Sequence, residues 1–475
     1  MKPEITLRAH PLMIVRYLWR YLFVLLIPVV RGLLNYGRSG TLSHLVAGEA
    51  ALGAVIVAVA VLKWSRCRVI IARDRLTVRT GLFLSRTAVV PLGHIASALF
   101  EYNPVLALFG AVAVRIDTEA GGRKNADFAL ILTRRAARTL RRAVSPDAPA
   151  TLTYRCRTLR LVLLAAANSS AAAGLLIAAP VINKAGQLLG ENLSDRLMGT
   201  ITYAAMLTER LIPPAATVLA LVMVAGFVVS FLLTLFQCAP FRLRRRGGRL
   251  DITHGLVTHR HTCFSMDAVN AVVIQQSFLM RLARHCTVNV SVAGYGKQKG
   301  ESAALLPAAD AAQADTLTRR ILPGCERLNL TLRPPKRAFQ RVLFVPVVAL
   351  AAIPMGTLIL CLLFPVVSSM LAFLAMVAQV VVAYFLSVRI RCYRRGGVGF
   401  WGGVQAYASK WLRLIELRAA PGRTGVIRIM RNPFDKLVHL CSVRVTLRAE
   451  GALSLTVLNL DDAEVLKEIE RVYGV

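Results

Sequence analysis

Carboxylates are scarce in this chain. Its 475 residues hold 25 Asp and Glu against 59 Lys and Arg, a formal net charge of +34. No pair of acids stands out for general acid–base work, and no Ser/His/Asp set, nucleophile elbow or Walker loop appears. Enzymatic activity and a cofactor are therefore not expected. The longest apolar stretches lack Asp, Glu and Lys in their middles, where a pump or secondary transporter carries its ion path. The nine cysteines are scattered and form no C-x-x-C pair, which excludes a disulfide framework and fits reduced thiols. Lysine is also rare, 10 residues against 49 Arg. Two readings stay open for that ratio: a GC-rich coding bias, or Arg placed at single sites for bidentate phosphate binding.

Hydrophobic residues, by contrast, make up 56% of the chain, and mean hydropathy is +0.56. That is too apolar for an ordinary soluble protein and too charged to be membrane throughout, so the two must alternate. A bilayer core needs roughly 20 apolar residues in a helix. Six stretches approach this, near Leu18–Leu34, Val46–Leu62, Leu161–Val181, Ile212–Phe236, Val342–Leu363 and Ser368–Val388. The first is long for a signal peptide and no small-x-small site follows closely, so a retained anchor is expected. The stretches come in pairs, each followed by a long polar segment. The three hairpin tips carry four basic residues (Arg38, Lys184, Arg196, Arg210) against four acids (Glu49, Glu191, Asp195, Glu209). The basic excess lies instead with the polar segments, which the positive-inside rule places in the cytoplasm with both termini. Asn168, Ser169 and Ser170 form the main polar cluster in a span. They suit hydrogen bonding between small-residue helices, so helix association and an oligomer are permitted.

The first two polar segments align without a gap at an offset of 174 residues. Arg75–Leu82 (Arg-Leu-Thr-Val-Arg-Thr-Gly-Leu) sits over Arg249–Leu256 (Arg-Leu-Asp-Ile-Thr-His-Gly-Leu), Arg86 over Arg260 and Val114 over Val288. Alternation at Val112, Val114 and Ile116, over Thr287–Val292, and at Val443, Val445 and Leu447 predicts half-buried strands. Gly81 and Gly255 suit tight turns with positive φ. Ala449 to Gly451 reads as a hairpin turn. Helices are expected over Leu132–Val144, Ala308–Ile321 and Asp461–Tyr473, the last opened by two acids. The third segment is the most divergent: its Asn432-Pro433 echoes Asn103-Pro104, but the distance to the following strand differs by two residues.

The residues Leu76–Leu82, Val90–Ile95 (Val-Pro-Leu-Gly-His-Ile) and Leu106–Gly110 ahead of Ala111–Thr118 carry a family resemblance, repeated in Leu250–Leu256, Met266–Val269 and Met280–Arg284. The pattern resembles the bacterial pleckstrin-homology-like (PH-like) domain of the second type, with Ser265 standing where the family has Pro. Three such units, each behind a helix pair, look like the YdbT-like membrane proteins of bacteria. The resemblance implies an α+β integral membrane protein of the bacterial cytoplasmic membrane, with three repeats of a transmembrane hairpin and an antiparallel β-domain capped by a C-terminal helix. The expected division is hairpin segments at 1–63, 151–237 and 326–388 and PH-like domains at 64–150, 238–325 and 389–475. The family implies no enzymatic activity and supplies no established ligand.

Two small motifs test for chemistry. Gly397 to Gly402 matches G-x-G-x-x-G, but a long apolar helix precedes it and a strand-like run follows, so a basic Gly-rich linker is expected. His259, His261 and Cys263 share a strand face and could converge on a metal, though no fourth ligand is apparent and no metal site is assigned. The remaining candidates are arginines directly below the spans: Arg66, Arg68, Arg244, Arg245, Arg246, Arg249, Arg391, Arg394 and Arg395. Such residues gain about 1 kcal/mol each near anionic headgroups, and they also serve topology alone. The sequence therefore reads as a membrane-anchored scaffold or accessory protein whose tandem domains bind protein, peptide or anionic lipid headgroups. A component of a transport or toxic-compound resistance system is the alternative. Nucleic acid is not expected as a partner, because no aromatic-interleaved basic element is present.

Overall fold

A computed structural model describes residues 4–19, 42–82, 85–119, 127–169, 214–292, 304–400, 403–410, 412–419, 422–447 and 453–474. In chain order the first part contains β1 (Ile5–Arg8), α1 (Met13–Trp19) and α2 (Leu42–Ser65), then β2 (Arg68–Ile71), β3 (Arg75–Thr80), β4 (Arg86–Pro91), β5 (Ile95–Tyr102), α3 (Pro104–Leu108), β6 (Ala111–Thr118), β7 (Phe128–Thr133) and α4 (Arg134–Val144). The middle part has β8 (Leu152–Arg155), α5 (Thr158–Asn168), α6 (Pro214–Cys238), β9 (Arg242–Arg246), β10 (Arg249–His254), β11 (His259–Ser265), β12 (Val269–Gln276), α7 (Phe278–Leu282), β13 (His285–Val292), β14 (Ala304–Asp310) and α8 (Ala314–Ile321). The last part has α9 (Ala338–Leu363), α10 (Ser368–Arg395), β15 (Gly397–Gly399), β16 (Val404–Lys410), β17 (Arg413–Ala419), β18 (Thr424–Met430), α11 (Pro433–Leu437), β19 (Leu440–Leu447), β20 (Ser454–Asp461) and α12 (Asp462–Tyr473).

The strands form four antiparallel sheets, ordered β1-β2-β3-β4, β7-β6-β5-β11-β10-β9-β8, β14-β13-β12-β17-β16-β15 and β18-β19-β20. Each polar segment of the sequence therefore gives its first strands to one sheet and its last three to another. The chain divides into two compact units. One comprises Met1–Thr153, Arg242–Ala268 and Val292–Lys297, and the other Tyr154–Phe241, Val269–Ser291 and Gln298–Val475. In the first unit, period-two alternation sends Val69, Leu76, Val78, Ile95, Phe100, Val112, Val114 and Ile116 into one core, which Ala137 and Leu140 of α4 close. In the second unit, Val398, Ala406, Leu417, Val443, Val445, Leu455 and Val457 form the core that Val465 of α12 covers. In both, antiparallel sheets pack against a terminal helix, as the resemblance implies.

One local pattern recurs three times. A strand runs into a five-residue helix (α3, α7, α11), then a residue with positive φ, then the next strand. The positive-φ residues are Gly110 (70°), Arg284 (57°) and His439 (52°). Each offers its carbonyl to a backbone N–H near the terminal helix: Arg134 to Gly110 (3.1 Å), Ala311 to Arg284 (2.9 Å) and Asp462 to His439 (3.3 Å). Asn103 caps α3 by accepting from the Val105 N–H, and Asn432 caps α11 in a reciprocal capping box with Asp435. Strand β19 opens at Leu440, so Asn432 lies as far from its strand as Asn103 does from Ala111. The apparent two-residue difference came from matching Val443 to Val112.

Other expectations shift at their edges. Gly81 and Gly255 have φ of 127° and 97°, as their turns require. The terminal helices start at Arg134, Ala314 and Asp462, because the first residues expected in them belong to β7, β14 and β20. The Gly-rich run after α10 is no linker: Gly397–Gly399 is a strand, and Leu332 and Val398 exchange backbone hydrogen bonds of 2.9 and 3.0 Å. A Cβ on Gly397 or Gly399 would collide with the backbone of Leu332 or Asn329. The turn expected at Ala449 to Gly451 and the span near Leu18–Leu34 beyond Trp19 lie outside the described residues, as does most of Leu161–Val181.

Among the described helices, α9 and α10 are long and apolar enough to cross a membrane. At 26 and 28 residues they rise about 39 and 42 Å at 1.5 Å per residue. Their apolar side chains face outward, with Phe344, Leu358, Leu362 and Val380 all more than half exposed. Helices α2 and α6 have 24 and 25 residues and are apolar over Gly53–Ser65 and Met223–Cys238.

Candidate phosphate-facing surfaces and a buried polar cluster

The three arginine groups singled out by the sequence have different fates. In the first, Arg66 follows α2 and its guanidinium donates to the Leu82 carbonyl at 2.7 Å. Arg68 opens β2, where register sets it opposite Arg8 on β1 and opposite Arg79 on β3. Three exposed arginines thus occupy one row across three adjacent strands, three residues beyond the end of α2. Like charges directly opposite in a sheet repel. Arg8, Arg68 and Arg79 have no carboxylate partner among the described residues. Sequence reasoning found Arg68 but missed Arg8 and Arg79 as its neighbours, because only the register brings the three together.

The second group turns inward. Arg246 reaches Asp147 at 3.4 Å and Asp251 at 3.5 Å, with a side chain 19% exposed. Arg249 donates to the Leu92 carbonyl at 2.7 Å, and burial lowers its pKa. Arg244 stands opposite Asp251 on β10, and Arg245 opposite Leu250. Arg246 thus bridges the end of α4 to β10, and Arg249 ties β10 to the residue after β4; all four side chains are half-buried. In the third group Arg391, Arg394 and Arg395 are all exposed, on the last two turns of α10. Between β12, β17 and β20 a cleft of about 350 Å³ is lined by Val273, Ile415, Leu417 and Leu455, with Lys410 and Arg413 at its edge.

The His259–Cys263 strand holds a polar cluster different from the one its spacing suggests. His259 is tied to the Gly255 carbonyl. His261 and Cys263 instead meet Asp251, which β10 places opposite Cys263, and their ligand atoms lie within 4.8 Å of one another. The Cys263 thiol and His261 Nδ1 are 3.3 Å apart. Ser145, at the end of α4, donates to Asp251 at 3.0 and 3.2 Å. Burial, reinforced by Arg141, Arg246 and Arg244 and opposed by Asp251, lowers the His261 pKa to about 4. Complete burial pushes the Cys263 thiol well above its usual value. A cation there would meet surrounding guanidinium groups and an Asp251 already satisfied by Ser145 and Arg246. With its imidazole and thiol neutral, the arrangement is a buried polar network around one carboxylate. Asp251 escaped the sequence reading because it lies on the neighbouring strand.

Comparison with known proteins agrees with this architecture. The UPF0699 transmembrane protein YdbT of Bacillus subtilis (strain 168) is 21% identical over 332 residues. The match covers 63% of this chain and 66% of that protein, just under two thirds of its length. No solved structure matches the chain. The bacterial PH domain family matches residues 22–148 and again 196–324, together more than half of the sequence. By the repeated strand pattern, the terminal helices and these two matches, the chain belongs to the bacterial PH domain family.

Proposed function

We propose that this protein is a non-enzymatic scaffold of the bacterial cytoplasmic membrane. In this reading it has six spans, cytoplasmic termini, and three PH-like repeats that lie against anionic lipid headgroups. The observation that carries the proposal is the row Arg8–Arg68–Arg79 beside the end of α2. An unpaired cationic row is costly in an isolated sheet and favourable against phosphates, which an Arg fork binds bidentately. The exposed Arg391, Arg394 and Arg395 below α10 support the same orientation. The recurring short helix and positive-φ residue support the third repeat. The apolar hairpin α9–α10 and the transmembrane relative support membrane insertion. Between Val342 and Val388 the sequence holds no Asp, Glu, Lys or Arg, which favours a scaffold over a transport component.

The test uses the full chain in nanodiscs of mixed zwitterionic and anionic lipid, with bound lipid identified by mass spectrometry. The native chain is expected to enrich anionic lipid. The triple variant Arg8→Gln, Arg68→Gln, Arg79→Gln is expected to lose most of that enrichment, since each residue contributes about 1 kcal/mol, roughly fivefold. Equal enrichment in both would refute headgroup binding at this row.

A further inference from the structure

The sheets follow a pairing rule. Strand β5, from the first repeat, pairs with β11 of the second, and β12 of the second pairs with β17 of the third. The registers are equivalent. The first seam runs from Ser97↔Phe264 to Tyr102↔His259, and the second from Ala271↔Ala419 to Gln276↔Leu414. At the offset of 174, Ser97 becomes Ala271 and Tyr102 becomes Gln276, so both seams begin and end at the same repeat positions. Among the described residues two strands, β4 of the first repeat and β18 of the third, are left without the partner this rule assigns. Both are edge strands of their sheets.

Exposure follows the same logic. Half or more of the residues in paired β5 and β12 are buried, whereas their counterpart β18 is exposed or half-buried, with Val426 47% exposed. Paired β11 and β17 bury their last strand residues, whereas their counterpart β4 is exposed, with Val89 54% exposed. The faces agree too. Cys263 and Arg418, at equivalent positions, are 0% and 3% exposed, and each lies in a polar network that includes a residue from the preceding repeat's terminal-helix region, Ser145 or Asp315. Val89 holds the same position in the first repeat and is 54% exposed.

We infer that β4 of one chain pairs antiparallel with β18 of a second copy, joining molecules head to tail by the rule that joins the repeats. Counting back from α11 sets Arg431 at the position of Tyr102, and the register follows: Val90 opposite Val426, Val89 opposite Ile427, Ala88 opposite Arg428, Thr87 opposite Ile429, Arg86 opposite Met430. Pro91, which has no N–H to donate, falls just outside these pairs, as Ser265 does in the first seam. No like charges face each other directly, though Arg86 and Arg428 share a face as diagonal neighbours. The interface is heterologous, so it closes into a ring or extends into a filament. This inference rests on the repeat reading above and not on headgroup binding.

The test is crosslinking of the full chain in membranes. Two differently tagged chains are co-expressed, one carrying Ala88→Cys and the other Arg428→Cys, both mild changes at an edge. A thiol crosslinker spanning about 5 Å, the distance between opposed Cβ atoms, is added. A doubly tagged species near twice 51.8 kDa is expected, at least tenfold above the unsubstituted chain with its native cysteines. It should also exceed tenfold the pair Val89→Cys with Arg428→Cys, whose side chains lie on opposite faces of the seam. No mixed crosslink would overturn the inference. So would a crosslink confined within single chains carrying both substitutions, because the repeats would then close on themselves. An equal yield from the off-face pair would also overturn it. Unchanged lipid enrichment in an otherwise crosslinked protein would leave this seam standing and remove only the headgroup reading.

Discussion

The two seams, β5 with β11 and β12 with β17, are flanked by strand pairs of one backbone geometry and opposite chemistry. Opposite one another on β10 and β11 stand Asp251 and Cys263, with His261 two residues away. At the same register positions on β16 and β17 stand Gln405 and Arg418, with Glu416 two residues away. The first group keeps imidazole and thiol neutral around a single carboxylate. The second encloses a guanidinium 3% exposed, which binds Glu416 at 2.9 Å and also Asp315 of α8, while Gln405 donates to Glu416 at 2.7 Å. The fold therefore requires that a polar residue at this position be satisfied, and leaves open how. In β4 the corresponding place holds Val89, opposite Thr77 and exposed, and no network forms.

The comparison breaks most visibly at Arg418. Its replacement by Ala leaves Glu416 with Gln405 but without its cation, a loss of about 3–5 kcal/mol. Hydrogen exchange should show β16 and β17 opening together, while β10 and β11 keep their protection. Equal loss of protection in both sheets would mean that the seams do not unfold independently.

Acid should do the reverse. His261 has a folded pKa of about 4, against about 6.5 unfolded. Between those values the unfolded chain binds the extra proton, so stability falls as pH drops. This contribution is complete above pH 6.5 and is lost progressively to pH 4, about 3 kcal/mol in all at 1.36 kcal/mol per unit. Exchange from β10 and β11 should accelerate over that window and flatten in His261→Gln. The β16–β17 seam has no histidine in its network and should lack this dependence. A His261→Gln chain with the native acid profile would show that another group titrates.

Why the sequence revealed the strands but not the seams follows from range. Val112, Val114 and Ile116 alternate within eight residues, and Gly81 and Gly255 mark turns by their own backbone, so each feature is local. The pairing of β5 with β11 joins residues about 160 apart, and nothing in Ser97 or Phe264 names the other. The arginines divide the same way. Arg68 and Arg246 look alike beside their spans, yet register gives one a row of cations and the other two carboxylates. Asp251 completes the His261 cluster from the next strand, where spacing along β11 carries no trace of it. The third segment diverges most in sequence, and at the left-handed position it carries His439 where the first two carry Gly110 and Arg284, although the geometry is shared.

That last difference gives the smallest effect and the finest comparison. Gly110, Arg284 and His439 each take a left-handed conformation after a five-residue helix, in three segments of the chain. A side chain costs roughly 1–2 kcal/mol there, and glycine returns roughly 0.5–1 kcal/mol of that through its freer unfolded chain. Arg284→Gly and His439→Gly should therefore each stabilise their hairpins by about 0.5–1 kcal/mol, and Gly110→Ala should destabilise its own by about 1 kcal/mol. Local exchange at β6, β13 and β19 reads the three separately. Stabilisation at Arg284 without any at His439 would show that the third copy holds its turn by other means. The reciprocal cap between Asn432 and Asp435 is the reason to expect a smaller gain there, because a helix fixed at its start leaves the turn at its end less to lose.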